Sequence, residues 1–385
     1  MHDPYNAFVD LDPAMHGGNG PLSGLTIGIK ANIAAKSLPW TAGMELFRGR
    51  IATEDAYVVA RLRDAGAAIP GTLNLDEGAL GAKTDNPWFG ATQNPHRIGY
   101  TPGGSSGGSG AAVAAGLCDA ALGSDTMGSI RIPASYCGIY GFKPANAAVS
   151  RDGLEPAEPS LDVIGPLARD LDTLERVARV ISDFGEGDGT AAGMILSDLG
   201  RVDCMPDVLP VYDKARATLG KLKSETLSIP LSRLRFAGFI ATSRAMATHL
   251  AGADPAKLSP VLAKLLTYGP KRSPADWAED QQILQDARSE IRALVTRNSF
   301  LLLPTAPQPA FAHSEPAPAN QADFTCIASI AGLPAISIPG GWSADGLPIG
   351  VQLVGQAGHE AHLFALARTL DGVLAAYRPP ASFQT

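Results

Sequence analysis

Residues 102–140 read PGGSSGGSGAAVAAGLCDAALGSDTMGSIRIPASYCGIY and contain six serines and nine glycines. The apolar runs AAVAAGL and DAALGS interrupt this stretch, so its composition is not that of a flexible Gly/Ser linker. We predict a helix of small residues over 108–116, followed by a strand over DAALGS. Glycines embedded in such core-like sequence indicate close backbone packing or unusual backbone angles.

Three chemical interpretations of the serines are open at this point. Gly103–Gly107 matches the G-x-S-x-G nucleophile elbow, which also needs an acid and a histidine further along the chain. The histidines that follow stand in no distinctive context: His249, His313, His359 and His362. A phosphate cradle at a helix N-terminus is the second interpretation, but neither G-K-[S/T] nor G-x-G-x-x-G is present. The third is a pair of serines served by a distant lysine.

The bulk composition narrows the class of protein. The chain has 385 residues, 45% of them hydrophobic, and a net charge of −7, which argues against a nucleic-acid partner. Four scattered cysteines without a CxxC pair favour a reduced, cytoplasmic protein. We expect no signal peptide, no membrane segment, no metal and no organic cofactor, because the sequence lacks a basic-apolar leader, an apolar run of about 18 residues and a Cys/His cluster.

Strands and helices alternate along the whole chain. LTIGIK (25–30) is predicted as a buried strand that ends in Lys30, and a helix is predicted from Thr53, which would cap it, to Gly66. Further helices are predicted after Asp170, after Ser273 and over 359–372, with strands at FLLLP, AISIP and GVQLVG. This alternation predicts an α/β fold with a mixed or mainly parallel sheet. We predict one domain over residues 1–385.

Several motifs together resemble the amidase signature family. They are GGSSGGSGAAVAAG and GSDTMGSIRIPASYCGIYGFKP in the glycine-rich stretch, GLTIGIKANI, GTLNLDEGALG and TDNPWFGATQNP before it, and SLDVIGPLARDLDTL, LLLPTAPQP, IAGLPAISIP and GLPIGVQLVG after it. The resemblance covers a signature core of about 20–182 and 299–372, and it is strongest to small bacterial amidases and indoleacetamide hydrolases. Residues 183–298 show no motif and form a variable region. The family fold that this implies is a large mixed, mainly parallel central sheet covered by helices on both faces.

The resemblance implies a Ser–Ser–Lys triad. Ser129 would be the nucleophile, Ser105 the bridging serine after a cis peptide bond from Gly104, and Lys30 the base. A serine hydroxyl needs an adjacent base, and a lysine is a base only when burial keeps its amine neutral. Lys30 ends an apolar strand, so the sequence is compatible with that burial. Taken alone, a strand-end lysine is more often solvated.

The resemblance also implies a set of secondary site residues. The oxyanion hole would consist of the backbone N–H groups of Thr126, Met127, Gly128 and Ser129. Substrate-pocket candidates are Trp40, Met44, Phe47, Trp88 and Met127. Asp125 and Arg131 are interpreted as a structural ion pair. The chain departs from the commonest family pattern at Ala31, Met127 and Ser329, of which Met127 suggests an altered choice of substrate.

The implied activity is that of an amidase, which would hydrolyse a small carboxamide to a carboxylate and ammonia through a serine acyl-enzyme. Alternatives within the family are a hydrolase of a carbamoyl-type amide such as a biuret derivative or allophanate, and a glutamyl-tRNA amidotransferase A-like subunit. An inactive binding or scaffold relative is the alternative from another class. The expected partner is a small-molecule amide, with room for a homodimer or a small partner subunit.

Overall fold

The strands and helices of the computed structural model follow one another in the order expected of an α/β protein; the structure describes residues 2–12, 15–189 and 192–381. The strands are β1 Phe8–Leu11, β2 Ile27–Lys30, β3 Gly71–Leu73, β4 Asp85–Asn86, β5 Gly90–Ala91, β6 Ala120–Asp125, β7 Tyr140–Lys143, β8 Val163–Ala168, β9 Gly193–Leu196, β10 Lys223–Glu225, β11 Phe300–Pro304, β12 Ala335–Trp342 and β13 Pro348–Gly355. The helices are α1 Tyr57–Asp64, α2 Gly107–Ala114, α3 Arg131–Tyr136, α4 Leu171–Ile181, α5 Val208–Thr218, α6 Leu231–His249, α7 Pro260–Leu265, α8 Pro274–Asn298, α9 Cys326–Ala331 and α10 Glu360–Leu374.

One large mixed sheet organises the molecule, as the sequence predicts. Its 11 strands lie in the order β1-β3-β2-β6-β8-β7-β12-β13-β11-β9-β10. Parallel pairs form two groups, β3-β2-β6 and β11-β9-β10, towards the two ends. The strands from β6 through β8, β7, β12 and β13 to β11 pair antiparallel. The sheet is therefore mixed, as predicted. Which strands pair parallel is not readable from the sequence, because a strand buried on both faces is a continuous apolar run whatever the direction of its neighbours.

Helices cover both faces of this sheet. Along β11, Leu301 and Leu303 belong to an apolar cluster with residues of α6, α8 and α9, whereas Phe300 and Leu302 belong to a cluster with residues of α4, α5 and α10. Successive side chains of a strand point to opposite faces, so FLLLP has to be apolar throughout.

Most predicted helix boundaries agree with the structure, and one is wrong. The side chains of Asp170 and Ser273 accept the backbone N–H groups of Thr173 and Asp276, and so cap α4 and α8. Thr53 caps nothing, because α1 begins only at Tyr57. Ala56 N instead donates to Ala34 O at 2.8 Å, a tertiary contact that keeps the preceding segment out of the helix.

The region without motifs extends the sheet and the helical layer. Its strands β9 and β10 continue the sheet beyond β11. Its long helices α6 and α8 pack on each other, and both contact α9. In the part of the chain that the structure describes, no helix is both long enough and apolar enough to cross a membrane.

Candidate active site

Lys30 is the last residue of β2, which lies between β3 and β6, and its side chain is completely buried. Its Nζ lies 2.8 Å from Ser105 Oγ and 2.8 Å from Ser124 Oγ. Asn32 Nδ2 also donates to Ser124 Oγ, at 3.0 Å. The amine is therefore held between two hydroxyls at the end of β2.

Burial changes the protonation of this lysine. It lowers the pKa of Lys30 from 10.5 to about 7, although the negative charges of Asp76, Asp125 and Asp162 oppose that shift. The cause is desolvation, which disfavours the ammonium form. A large share of Lys30 is thus a neutral amine near pH 7, which is the form that can accept a proton.

The glycines around Ser105 allow a close approach of backbone segments. The peptide bond between Gly104 and Ser105 is cis, as the resemblance implies. A Cβ on Gly104 would come within 2.1 Å of Asp76 Oδ2, and one on Gly108 within 2.4 Å of Asn74 O. Both positions therefore admit only glycine, which explains why the segment before and within α2 is so rich in this residue.

Ser129 lies in the turn between β6 and α3 and is partly exposed. Ser106 N donates to Ser129 O at 3.2 Å, so a backbone hydrogen bond joins the two serine-bearing loops. Ser129 also lines a cavity of about 100 Å³ together with Gly104 and Thr126. The structure thus brings Lys30 and Ser105 into direct contact. It places Ser129 on the neighbouring loop, where this serine lines the cavity.

The turn before Ser129 presents backbone N–H groups, but not all four that were predicted as an oxyanion hole. Gly128 N donates to Asp125 Oδ1 at 2.7 Å and is therefore already engaged. Within the described residues, no acceptor takes the N–H of Thr126, Met127 or Ser129. These three groups are available to an incoming oxyanion.

The turn is held by a buried ion pair, as expected for Asp125 and Arg131. Arg131 Nε and Nη2 each donate to the Asp125 carboxylate at 3.0 Å, and both side chains are fully buried. Burial alone would raise the pKa of Asp125, but the charge and hydrogen bonds of Arg131 lower it below its usual value. Arg131 also donates to Ser329 Oγ and Gln352 Oε1, which gives Ser329 a structural partner.

The cavity beside Ser129 is lined largely by residues that sequence reasoning missed. They come from the loop after β3, from α3, from α6 and from the loop before α9: Ala79, Leu80, Gly81, Ala82, Ile132, Thr242, Gln321 and Ala322. Thr242 lies in the variable region, and Gln321 lies between two family-like motifs of the signature core, so no motif marks either residue. Larger cavities, of about 430 Å³ and 390 Å³, are lined by none of Lys30, Ser105 and Ser129.

The predicted pocket residues separate into two groups. Met127 lines the cavity, and a Cβ on Gly238 of α6 would lie 2.6 Å from its Sδ. Arg50 stacks on the rings of Trp40 and Phe47, at 4.0 Å and 3.9 Å. The others are held elsewhere: Met44 is buried in a separate apolar cluster, and Trp88 Nε1 donates to Glu77 Oε1. The structure therefore brings only Met127 of this set to the cavity lining.

In the described ranges, no group of three or more His, Cys, Asp and Glu side chains is placed so that it could hold a metal ion.

Comparisons with known proteins agree with this geometry. A model of the family described as Amidase matches residues 9–223 and 240–364. The A subunit of the glutamyl-tRNA(Gln) amidotransferase of Methanospirillum hungatei is 33% identical over 404 residues, which cover 92% of this chain and 94% of that protein.

Two solved structures show the same fold. One is an inhibitor-bound vestigial protein complex that reveals the evolutionary origins of an s-triazine catabolic enzyme, with a TM-score of 0.88, 28% identity and coverage of 97% of this chain and 92% of the other. The second is allophanate hydrolase from Kluyveromyces lactis, with a TM-score of 0.87, 26% identity and coverage of 99% and 70%. The chain belongs to the amidase family and is an enzyme that acts on C–N amide bonds.

Proposed function

We propose that this enzyme hydrolyses a small, uncharged carboxamide to a carboxylic acid and ammonia through an acyl-enzyme on Ser129. The observation that carries the proposal is the completely buried Lys30, whose pKa is lowered to about 7 and whose Nζ lies 2.8 Å from Ser105 Oγ. A neutral lysine beside a serine is the base that Ser–Lys hydrolases require.

The steps follow from this arrangement. The lone pair of neutral Lys30 accepts the Ser105 proton, Ser105 accepts the Ser129 proton, and Ser129 Oγ attacks the amide carbon. The free N–H groups of Thr126, Met127 and Ser129 stabilise the oxyanion, and each such donor contributes about 3 to 4 kcal/mol in well-studied cases. As the C–N bond breaks, Ser105 returns a proton to the leaving amine, and water then hydrolyses the Ser129 ester.

The cavity supports a small and neutral acyl group. Its volume is about 100 Å³, and no charged side chain lines it within the described residues. Pockets for drug-sized ligands are several times larger, on the order of 300 to 1,000 Å³. A substrate with its own ammonium or carboxylate group would leave that charge unpaired in an apolar site, which is costly.

Met127 is expected to limit the length of the acyl chain. Replacing it with alanine removes the thioether that packs against Gly238, and so enlarges the cavity. We expect the ratio of kcat/KM for an amide one or two methylenes longer to that for the preferred amide to rise about tenfold, since one methylene is worth roughly 1 to 3 kcal/mol. Ile132→Val is the control for a smaller enlargement, and an unchanged ratio in Met127→Ala would contradict this role.

A glutamyl-tRNA amidotransferase A-like subunit is the second candidate. The similarity to the Methanospirillum hungatei protein over 94% of its length favours it. The uncharged cavity lining disfavours it, because glutamine carries an ammonium and a carboxylate. Activity that appears only after a partner protein is added would select this candidate.

The test is ammonia release from a panel of amides: short aliphatic amides, aryl amides, indole-3-acetamide, biuret, allophanate and glutamine. Ser129→Ala is assayed beside the wild type, and Ser135→Ala is a control from the same segment. We expect release from a small neutral amide that Ser129→Ala loses and Ser135→Ala keeps. Release that survives in Ser129→Ala would overturn the proposal. A wild type inactive on every compound would favour a partner-dependent subunit or an inactive relative.

A further inference from the structure

Asp76 lies in the loop after β3, directly behind the bridging serine. It is almost fully buried, and its backbone N donates to Ser105 O at 3.3 Å. Its Oδ1 accepts the backbone N–H of Thr84 at 2.9 Å. A Cβ on Gly104 would come within 2.1 Å of its Oδ2, so the carboxylate packs against the Gly104–Ser105 peptide.

One oxygen of this carboxylate lacks a well-formed hydrogen bond. Asp76 Oδ2 is buried and accepts no hydrogen bond of normal geometry among the described residues, although the backbone N–H of Lys83 is close enough to oppose the rise of the Asp76 pKa. Leaving a buried polar group unpaired costs free energy, and a native structure retains such a group where it has a purpose. The arrangement therefore calls for an explanation beyond folding.

The carboxylates that face Lys30 differ in how far they are already neutralised. Asp125 is paired with Arg131 on α3. Asp162, which precedes β8, accepts the Thr126 hydroxyl at 2.6 Å and two backbone N–H groups. Asp76 has neither a cation of its own nor a side-chain donor within the described part of the chain.

The acid whose charge raises the pKa of Asp76 is Asp85, which pairs with Lys83 at 3.6 Å. Lys83 is directed away from the triad, because its Nζ donates to His313 O. Lys30 is accordingly the cation whose charge acts on Asp76.

We propose that Asp76 is a positioning residue, the counter-charge that stabilises the ammonium of Lys30 when it takes up the serine proton, and that it thereby sets the pH below which the base is lost. This inference rests on the proposed function, because it assigns a partner to the base of that reaction. An opposite charge nearby favours the charged form of a lysine, and its effect is strong where water is excluded.

The pKa values of the two groups support this pairing. Of the charges that raise the pKa of Lys30, Asp76 is the largest. Burial raises the pKa of Asp76 itself to about 6, against the backbone N–H groups of Thr84 and Lys83 and the charge of Lys30. The two groups therefore titrate close together, as a coupled pair.

The test is the pH dependence of sulfonylation of Ser129 by phenylmethanesulfonyl fluoride, which needs no knowledge of the substrate. The second-order rate constant is measured from pH 5 to 9 by mass spectrometry for the wild type, Asp76→Asn and Asp85→Asn. Removing the Asp76 charge makes the Lys30 ammonium less stable and lowers its pKa. We therefore expect the rise of the rate constant with pH to occur about one pH unit lower in Asp76→Asn than in the wild type. The pH–rate profile of Asp85→Asn should stay close to that of the wild type.

The outcomes separate this inference from the function on which it rests. A wild type that is not sulfonylated at Ser129 at any pH would overturn the proposed function. If the rate constant of the wild type rises near pH 7 and that of Asp76→Asn rises at the same pH, only the role of Asp76 is overturned. If Asp76→Asn fails to fold, Asp76→Ser keeps an acceptor for Thr84 in less space and has the same expected shift.

Discussion

Lys30→Met is expected to lower the kcat for the preferred amide by at least about 10³-fold, since loss of the base in a serine hydrolase has effects of this order. Methionine fills a similar volume but has no lone pair on nitrogen to accept the Ser105 proton. Because the amine that is removed is completely buried and its pKa is lowered to about 7, methionine leaves less charge in the interior and the fold should persist. Initial rates of ammonia release, together with the thermal unfolding midpoint, check both statements.

Lys143→Met is the matched control for this substitution. Lys143 is equally buried, and burial lowers its pKa to about 7 as well. Its Nζ donates to Pro144 O and Leu333 O, each at 3.0 Å, and to Asn146 Oδ1 at 2.8 Å, and to no serine. We expect activity per folded molecule to change little. If Lys30→Met kept more than a tenth of wild-type kcat, Lys30 could not be the base.

Arg131→Met is expected to lower the free energy of unfolding by about 3 to 5 kcal/mol, because it leaves the carboxylate of Asp125 buried without its cation. The same substitution releases the turn that presents Thr126 and Met127, since Asp125 holds Gly128 N. Activity should therefore fall together with stability. Urea denaturation followed by fluorescence measures the first effect.

Arg368→Met is the control for the ion pair. Arg368 is bonded to Asp172 and Glu175 at the surface, where the Asp172 side chain is 83% exposed. Exposed pairs are worth at most about 1 kcal/mol, so this variant should be nearly as stable as the wild type. An equal loss in both variants would show that the burial of Arg131 is not what makes it important.

The acid dependence of stability follows from the same carboxylate. The pKa of Asp125 is lowered in the folded state, so its contribution is present above the pKa of the unfolded chain and is lost as pH falls through the lower, folded value. Asp76 and Asp162 act in the opposite direction, because burial raises the pKa of each to about 6. Their charged forms therefore cost stability as pH rises through that range.

Local pattern accounts for most elements of the fold. The apolar run FLLLP, the caps at Asp170 and Ser273 and the small-residue helix α2 are specified by neighbouring residues, and each is found close to its predicted place. The start of α1 was missed because the hydrogen bond of Ala56 N to Ala34 O comes from a segment distant in sequence. The directions in which individual strands pair could not be predicted for a related reason, since pairing depends on two segments that are distant in sequence.

For the candidate site, too, the sequence predicted some residues and missed others. Lys30, Ser105 and Ser129 each stand in a recognisable motif, and the tight glycine contacts at Gly104 and Gly108 follow from the composition of residues 102–110. Of the cavity lining, Met127 was predicted as a pocket residue, whereas Thr242 and Gln321 were not predictable, because they reach the cavity from stretches outside the motifs.

The sequence by itself determined the alternation of strands and helices, the family and the three residues of the candidate triad, since these depend on short-range patterns of residue type. The tertiary structure decided what those residues can do. Burial by several elements lowers the pKa of Lys30. The Asp125 carboxylate accepts the N–H of Gly128, one of the four N–H groups predicted for an oxyanion hole, and Asp76 lies behind the Gly104–Ser105 peptide. Desolvation and charge act through space over all surrounding segments, so they can be read only once the chain is folded.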